Sequence, residues 1–110
     1  MKIIRYQNQQ DQVGYAAQQP DGTALKLSGD IFDSPKITTE KIAVAKLLAP
    51  IQPSSIICLG LNYRRHAQET GAKIPEFPII FFKGINTLLN PGEPILLPTH
   101  LRSDEVDYEC

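Results

Sequence analysis

Nine prolines and seven glycines punctuate a chain of 110 residues, and these breakers constrain the fold more than any other feature. Proline lacks a backbone N–H and clashes with the preceding helical turn, so it ends helices and stays out of central strands. The stretches left between breakers are short. They suit brief strands joined by turns, not a helical bundle. The predicted fold class is mixed β, a β-rich α+β arrangement.

The length allows one small domain with a modest core. Apolar residues make up 42% and charged residues 21%, as in ordinary globular proteins. The formal net charge of −1 gives no electrostatic drive towards nucleic acid or an anionic membrane, so neither is expected as a partner. No apolar run reaches membrane-spanning length. Met1-Lys2-Ile3-Ile4-Arg5-Tyr6 turns polar at once, so no signal peptide is expected. Cys58 and Cys110 lie in apolar, strand-like surroundings. Reduced thiols in a cytoplasmic protein are expected there rather than a disulfide.

Along the chain, Lys2 to Tyr6 reads as a first strand and Val13 to Ala17 as a second. Pro20-Asp21-Gly22 is a strong turn signal. Thr23 to Leu27 alternates as a third strand, with Ala24 and Lys26 opposite Leu25 and Leu27. These three predict a small antiparallel meander. Ile31 to Thr39 reads as irregular. Glu40 to Ala49 is ambiguous: Ile42, Val44 and Leu48 alternate like a strand, while the Ala-Lys-Leu content favours a helix. Pro50 and Pro53 bracket a linker, which divides a β-rich region, 1–50, from a second region, 51–110. In the second region Ile79-Ile80-Phe81-Phe82 reads as a buried strand, Ile95-Leu96-Leu97 as another, and Glu105 to Cys110 as the start of a last one.

Chemistry concentrates in Leu59-Gly-Leu-Asn-Tyr-Arg-Arg-His-Ala-Gln-Glu-Thr-Gly71. An apolar run enters it and Gly60 breaks the run. Asn62 is a good N-cap, Tyr63 to Thr70 can form a short helix, and Gly71 can end it. His66 and Glu69, three apart, share a face and can hydrogen-bond. A carboxylate on an imidazole fixes its tautomer and raises its basicity, as a general base acting on water requires. The same spacing also describes an ordinary surface pair. Lys83, directly after an apolar run, suits an anionic substrate or a strand end reaching solvent. Arg64 and Arg65 could pair a carboxylate or simply cover the helix surface. Glu105, Asp107 and Glu109 lie on one strand face, about 7 Å between neighbours. That face suits a hard divalent cation or a solvated edge strand. Cys58 reads as a core residue and His100 as a loop residue.

Four stretches, Ile56 to Gly71, Pro78-Ile-Ile-Phe-Phe-Lys83, Asn90-Pro-Gly-Glu-Pro-Ile95 and Val106-Asp-Tyr-Glu109, resemble in order and spacing the fumarylacetoacetate hydrolase family. The resemblance is to its bacterial branch, whose members include 2-hydroxyhepta-2,4-diene-1,7-dioate isomerases, acylpyruvases and hydratases. The Leu-Ser-Gly-Asp turn and Leu-Leu-Ala-Pro before them resemble the family's short N-terminal β region. The resemblance implies a mixed-β catalytic fold, a Mg²⁺ or Mn²⁺ cofactor, and small 2-oxo or 1,3-dicarbonyl acids as substrates. It implies C–C hydrolysis, isomerisation or decarboxylation, and a homodimer. His66 matches the catalytic histidine, Glu69 its acidic partner and Glu109 the first metal ligand. Lys83, and Arg64 beside the helix start, are the implied substrate contacts.

The same resemblance implies departures. The family's Glu-x-Glu ligand pair is represented by Glu109 and the spacer Cys110. The further carboxylate ligands and the later substrate lysine have no counterpart, and Gly84 stands where the family usually has proline. The expectation is an N-terminal segment of a divalent-metal enzyme, inactive alone. The alternatives are a non-catalytic β-rich binding module and the remnant of a split gene.

Overall fold

A computed structural model describes residues 1–102. The strand expected from Glu105 to Cys110, with Asp107, Glu109 and Cys110, lies outside the described residues. The N-terminal half forms one antiparallel sheet of five strands: β1 (Lys2–Gln7), β2 (Val13–Gln18), β3 (Ala24–Ser28), β4 (Lys36–Lys41) and β5 (Lys46–Leu48). Their spatial order is β4-β3-β2-β1-β5, so the expected meander is its centre and two further strands extend it.

Local chemistry explains the turns. Between β2 and β3, the Asp21 carboxylate accepts bonds from the Thr23 amide and hydroxyl. These bonds, the hydroxyl's first, hold its pKa below the usual value. Gly22 adopts φ +86°, a left-handed conformation that glycine takes without the Cβ clash.

The core of this sheet is small and lies on one face. Ile4, Tyr6, Ala16 and Ala24 are buried together, with Ile42 packed against them. Register explains the set: Ile4 stands opposite Ala16 and Tyr6 opposite Gly14. A Cβ on Gly14 would lie 2.8 Å from the Tyr6 hydroxyl oxygen. The glycine is thus the space into which the tyrosine ring lies across the strand pair.

Three expectations are corrected here and one ambiguity is settled. Lys36–Lys41, expected within and just after an irregular stretch, is strand β4. It is a polar edge whose Glu40 pairs with Lys26 of β3 at 3.0 Å, and such charged edges resist further strand pairing. Lys46–Leu48 settles the helix-or-strand ambiguity as β5, because it pairs with β1 through Arg5, Tyr6 and Gln7. The simple alternation of β3 fails: Ala24 and Leu27 are both buried, since the register against β4 shifts between Leu25 and Leu27. Ile95 to Leu97 is not a strand; among the described residues it has no ladder partner, and apolar character alone does not make a strand.

The second half holds an antiparallel ribbon, β6 (Ile56–Gly60) and β7 (Ile79–Lys83). Between them runs helix α1 (Arg64–Glu69), and after them a 3₁₀ turn spans Ile85–Thr87. The expectation that Ile79 to Phe82 is buried is overturned. Ile57 and Leu59 stand opposite Phe82 and Ile80, so these four share a face, and they are 62%, 49%, 71% and 61% exposed. A two-stranded ribbon has too few neighbours to cover either face. Cys58, on the other face, is a half-buried free thiol, rather than a fully buried core residue.

Two stability measurements follow from this packing. Gly14→Ala should cost about 1–3 kcal/mol by overpacking Tyr6, read as a lower urea midpoint; an unchanged midpoint would remove the close-packing account. Phe82→Ser should cost less than about 1 kcal/mol in this chain, far below the roughly 3–5 kcal/mol of a buried phenylalanine truncation.

Candidate active site

Strand β6 delivers the chain to α1 through Leu61, whose φ is +49°. A non-glycine residue in this region costs about 1 kcal/mol or more. This turn also corrects the cap. The helix starts after Tyr63, which is extended and makes no side-chain cap bond. Asn62 therefore falls one position too early to cap it, and the helix covers 64–69 rather than 63–70.

Its other end behaves as the sequence predicts. Gly71 takes φ +66°, its amide donates to the Gln68 carbonyl, and the Ala72 amide donates to the Ala67 carbonyl. That pair of bonds is a Schellman closure, which satisfies the last carbonyls of a helix. The Thr70 hydroxyl adds bonds to the His66 and Ala67 carbonyls. Only Ala67 is buried within the helix, so Arg64, Arg65, His66 and Glu69 are presented to solvent.

The expected bond between His66 and Glu69 is absent among the described residues. Glu69 instead accepts from Arg65 Nε at 3.1 Å. The Arg65 guanidinium four residues away carries a permanent charge and several planar donors, and it takes the carboxylate in place of the imidazole three residues away. Arg65, read from sequence as a carboxylate partner or a surface residue, takes up Glu69 itself; that i,i+4 pairing is the contact the sequence reading leaves out. The pair is 90% and 59% exposed and its order is the weaker one, so it is worth about 0.5 kcal/mol at most. Turning Glu69 from Arg65 to His66 therefore costs little.

Beside the helix start lies an open groove of about 300 Å³. Leu59 to Asn62 form one wall, Ile74 to Pro78 the other, and Arg64 stands at its edge. Glu76 also lines it, yet among the described residues no ion pair joins the two. Ile74 and Phe77, 50% and 78% exposed, supply apolar surface that no pattern in the sequence singles out. His66, Glu69 and Lys83 do not line this groove.

Lys83 sits elsewhere on the ribbon. It pairs with Ile56, whereas the exit to α1 is at Gly60 opposite Ile79. Four residue steps of strand separate these ends, about 13 Å. Its ammonium lies 5.8 Å from the Phe81 ring centroid, a cation–π distance. Among the described residues no group of three or more His, Cys, Asp or Glu could hold a metal. The described part of the chain therefore does not by itself fit a metal centre, and Glu109 lies outside it.

Residues 55–110 match the family profile described as fumarylacetoacetate (FAA) hydrolase C-terminal, which is more than half of the chain. The chain belongs to the fumarylacetoacetate hydrolase family. Residues 1–50 match a second profile, Rv2993c-like, N-terminal. Similar proteins include a fumarylacetoacetate hydrolase domain-containing protein 2 homolog of Dictyostelium discoideum, 50% identical over 64 residues, 58% of this chain and 20% of that protein. An oxaloacetate tautomerase of Xenopus laevis, described as mitochondrial, is 37% identical over 89 residues, 80% of this chain and 27% of that protein. A caffeoylpyruvate hydrolase of Neonothopanus nambi is 33% identical over 95 residues, 81% of this chain and 31% of that protein. A solved structure from Mycobacterium abscessus superposes with a TM-score of 0.71 at 31% identity, over 91% of this chain and 40% of that one. It supports the mixed-β fold class. The chain thus spans between a fifth and a third of these curated relatives. No helix among the described residues is long and apolar enough to cross a membrane.

For this family member, Gly71→Ala should lower stability by about 1 kcal/mol through its left-handed φ. Arg65→Ala should cost no more than about 0.5 kcal/mol. Thermal unfolding of both variants checks the order; an equal or larger loss for Arg65→Ala would contradict the weak-pair account.

Proposed function

We propose that this chain supplies the base and part of the substrate-binding side of a metal-dependent enzyme acting on small 2-oxo or 1,3-dicarbonyl acids. The observation that carries the proposal is the exposed His66 on a helix beside a concave groove edged by Arg64. This arrangement falls within a stretch that matches the family profile.

In this reading the neutral His66 imidazole takes a proton from the attacking water, and Glu69 leaves Arg65 to orient the ring. Catalytic bonds are often completed only once substrate is bound, so the free geometry does not oppose these roles. The Arg64 guanidinium binds a substrate carboxylate, for which its planar donor pair is suited. The apolar wall at Ile74 and Phe77 receives the substrate's carbon chain. Lys83, at the ribbon's other end about 13 Å of strand from the helix exit, would touch only an anionic group of the substrate remote from the one on Arg64.

The group implied by the family is Mg²⁺ or Mn²⁺, with Glu109 as one ligand; when bound it supplies Lewis-acid polarisation of the oxo acid. One carboxylate holds Mg²⁺ poorly, because this ion parts with its waters reluctantly. The site in this reading therefore needs further oxygen ligands beside Glu109, in a homodimeric, cytoplasmic enzyme.

Titrating the 110-residue chain with Mn²⁺ by calorimetry should show no micromolar site; micromolar binding would sink the proposal that the lone chain lacks a metal centre. In a polypeptide extended to the family's full length, His66→Ala should lower acylpyruvate hydrolysis by about 10²-fold or more while sparing Mn²⁺ binding. Turnover unchanged in that variant would refute the role of His66 as base.

A further inference from the structure

The turn at Asn90 to Glu93 has a use that the proposed chemistry does not require. Asn90 is half-buried, and its side chain works in two directions. Its Oδ1 accepts from the Ala49 amide at 2.9 Å, just beyond β5; Ala49 itself is 3% exposed. Its Nδ2 donates to Glu93 Oε1 at 3.0 Å, and its backbone amide donates to Glu93 Oε2 at 3.1 Å. The Glu93 amide returns a bond to the Asn90 carbonyl, at 3.1 Å. Lys46 of β5 then donates its ammonium to Glu93 Oε1. Both carboxylate oxygens and both polar atoms of the asparagine side chain are engaged.

These bonds join the stretches that match different family profiles: Lys46 and Ala49 on one side, Asn90 and Glu93 on the other. Among the described residues, hydrogen bonds from 1–50 to the chain beyond Ser55 all end on this turn. The run from Lys83 to Asn90 is short and locally folded. Thr87 and Leu88 donate their amides to the Gly84 and Ile85 carbonyls, and the Thr87 hydroxyl adds a 2.7 Å bond to Gly84. A folded run with one end fastened to the sheet leaves its other end little freedom.

We propose that Asn90 and Glu93 are positioning residues: they fasten the segment after β7 to the edge of the N-terminal sheet, and so fix where the Lys83 end of the ribbon stands. Lys46 first, then Asn90, hold the Glu93 carboxyl at about 2. The clasp therefore stays charged well below neutral pH. The meaning for substrate binding rests on the proposed role of Lys83; the mechanical claim does not.

Hydrogen exchange followed by NMR on the 110-residue chain tests it without substrate. Asn90→Ala should speed exchange of the Ala49 amide about tenfold, and of the Thr87 and Leu88 amides about fivefold, as a lost hydrogen bond implies. Amides pairing β1 with β2 should stay within about twofold of wild type. Glu93→Gln, which keeps two polar atoms but only one acceptor oxygen, should give smaller changes at the same amides. If Asn90→Ala does not fold, Asn90→Asp, which keeps the Ala49 acceptor, is judged by the Thr87 and Leu88 amides alone. Faster exchange at Ala49 with Thr87 and Leu88 unchanged would reduce the clasp to a local cap and overturn the proposal. So would an unchanged Ala49 amide in Asn90→Ala. Adding oxaloacetate to the same samples separates the two ideas: an unmoved Lys83 side-chain resonance counts against the substrate contact alone.

Discussion

The packing of Tyr6 over Gly14 is the contact on which the sheet depends. The buried set is otherwise almost all isoleucine, leucine and alanine, and alanines at positions 16, 17, 24 and 49 bring strands together without filling much space. One aromatic ring, Tyr6, is the largest side chain of the buried set, and aromatic side chains bury the largest areas. It can lie across the strand pair only where the opposite strand has no side chain. That requirement ties β1 to β2 in a single register, because a shift by one residue would place the ring against Val13 or Tyr15 and turn every inward side chain outward. β3 follows through the Asp21–Gly22 turn, and β5 follows by pairing with the same stretch of β1 that carries the ring.

The ribbon of β6 and β7 has no such anchor. Its two strands are joined along five matched residue pairs, but its uniformly apolar face has no cover among the described residues. The candidate site inherits this contrast. Its helix is closed firmly at Gly71 and loosely at Tyr63, and among the described residues one weak exposed pair, Arg65 with Glu69, joins its charged side chains. An arrangement of this kind positions a backbone well and leaves side chains free to rearrange around a ligand. The groove beside it is correspondingly open.

The parts legible from sequence are those where one local force decides. Turn chemistry at Pro20 to Gly22 and the left-handed glycine at position 71 needed no tertiary information. The strands β1 to β3 are legible as short apolar runs between turn signals, although the alternation expected of β3 fails. β4 was hidden because Lys36-Ile-Thr-Thr-Glu-Lys41 is a polar edge whose identity comes from its partner, not from a pattern of its own. β5 carried helix-favouring residues, and pairing with β1 overrode them. The Asn62 cap failed because Leu61 turns left-handed and moves the helix start by one. The His66–Glu69 bond failed for an electrostatic reason: spacing names every neighbour in reach, whereas charge selects among them, and Arg65 holds the charge. Burial of Ile79 to Phe82 could not be read from composition, since an apolar run states what would gain by being covered and not what covers it.

The register of the ribbon has one more consequence. Gly60 and Ile79 face each other as a matched pair, so the segment 61–78 leaves the ribbon and returns to it at adjacent positions. A detour with clamped ends can change length without moving what lies on either side, since closing a longer loop adds only a slowly growing entropy cost. Insertions or deletions within 70–78 would then reshape one wall of the groove while β6 and β7 keep their pairing. The fold in this way separates change in the groove's shape from the maintenance of its scaffold, and it marks this detour as the place to graft foreign loops.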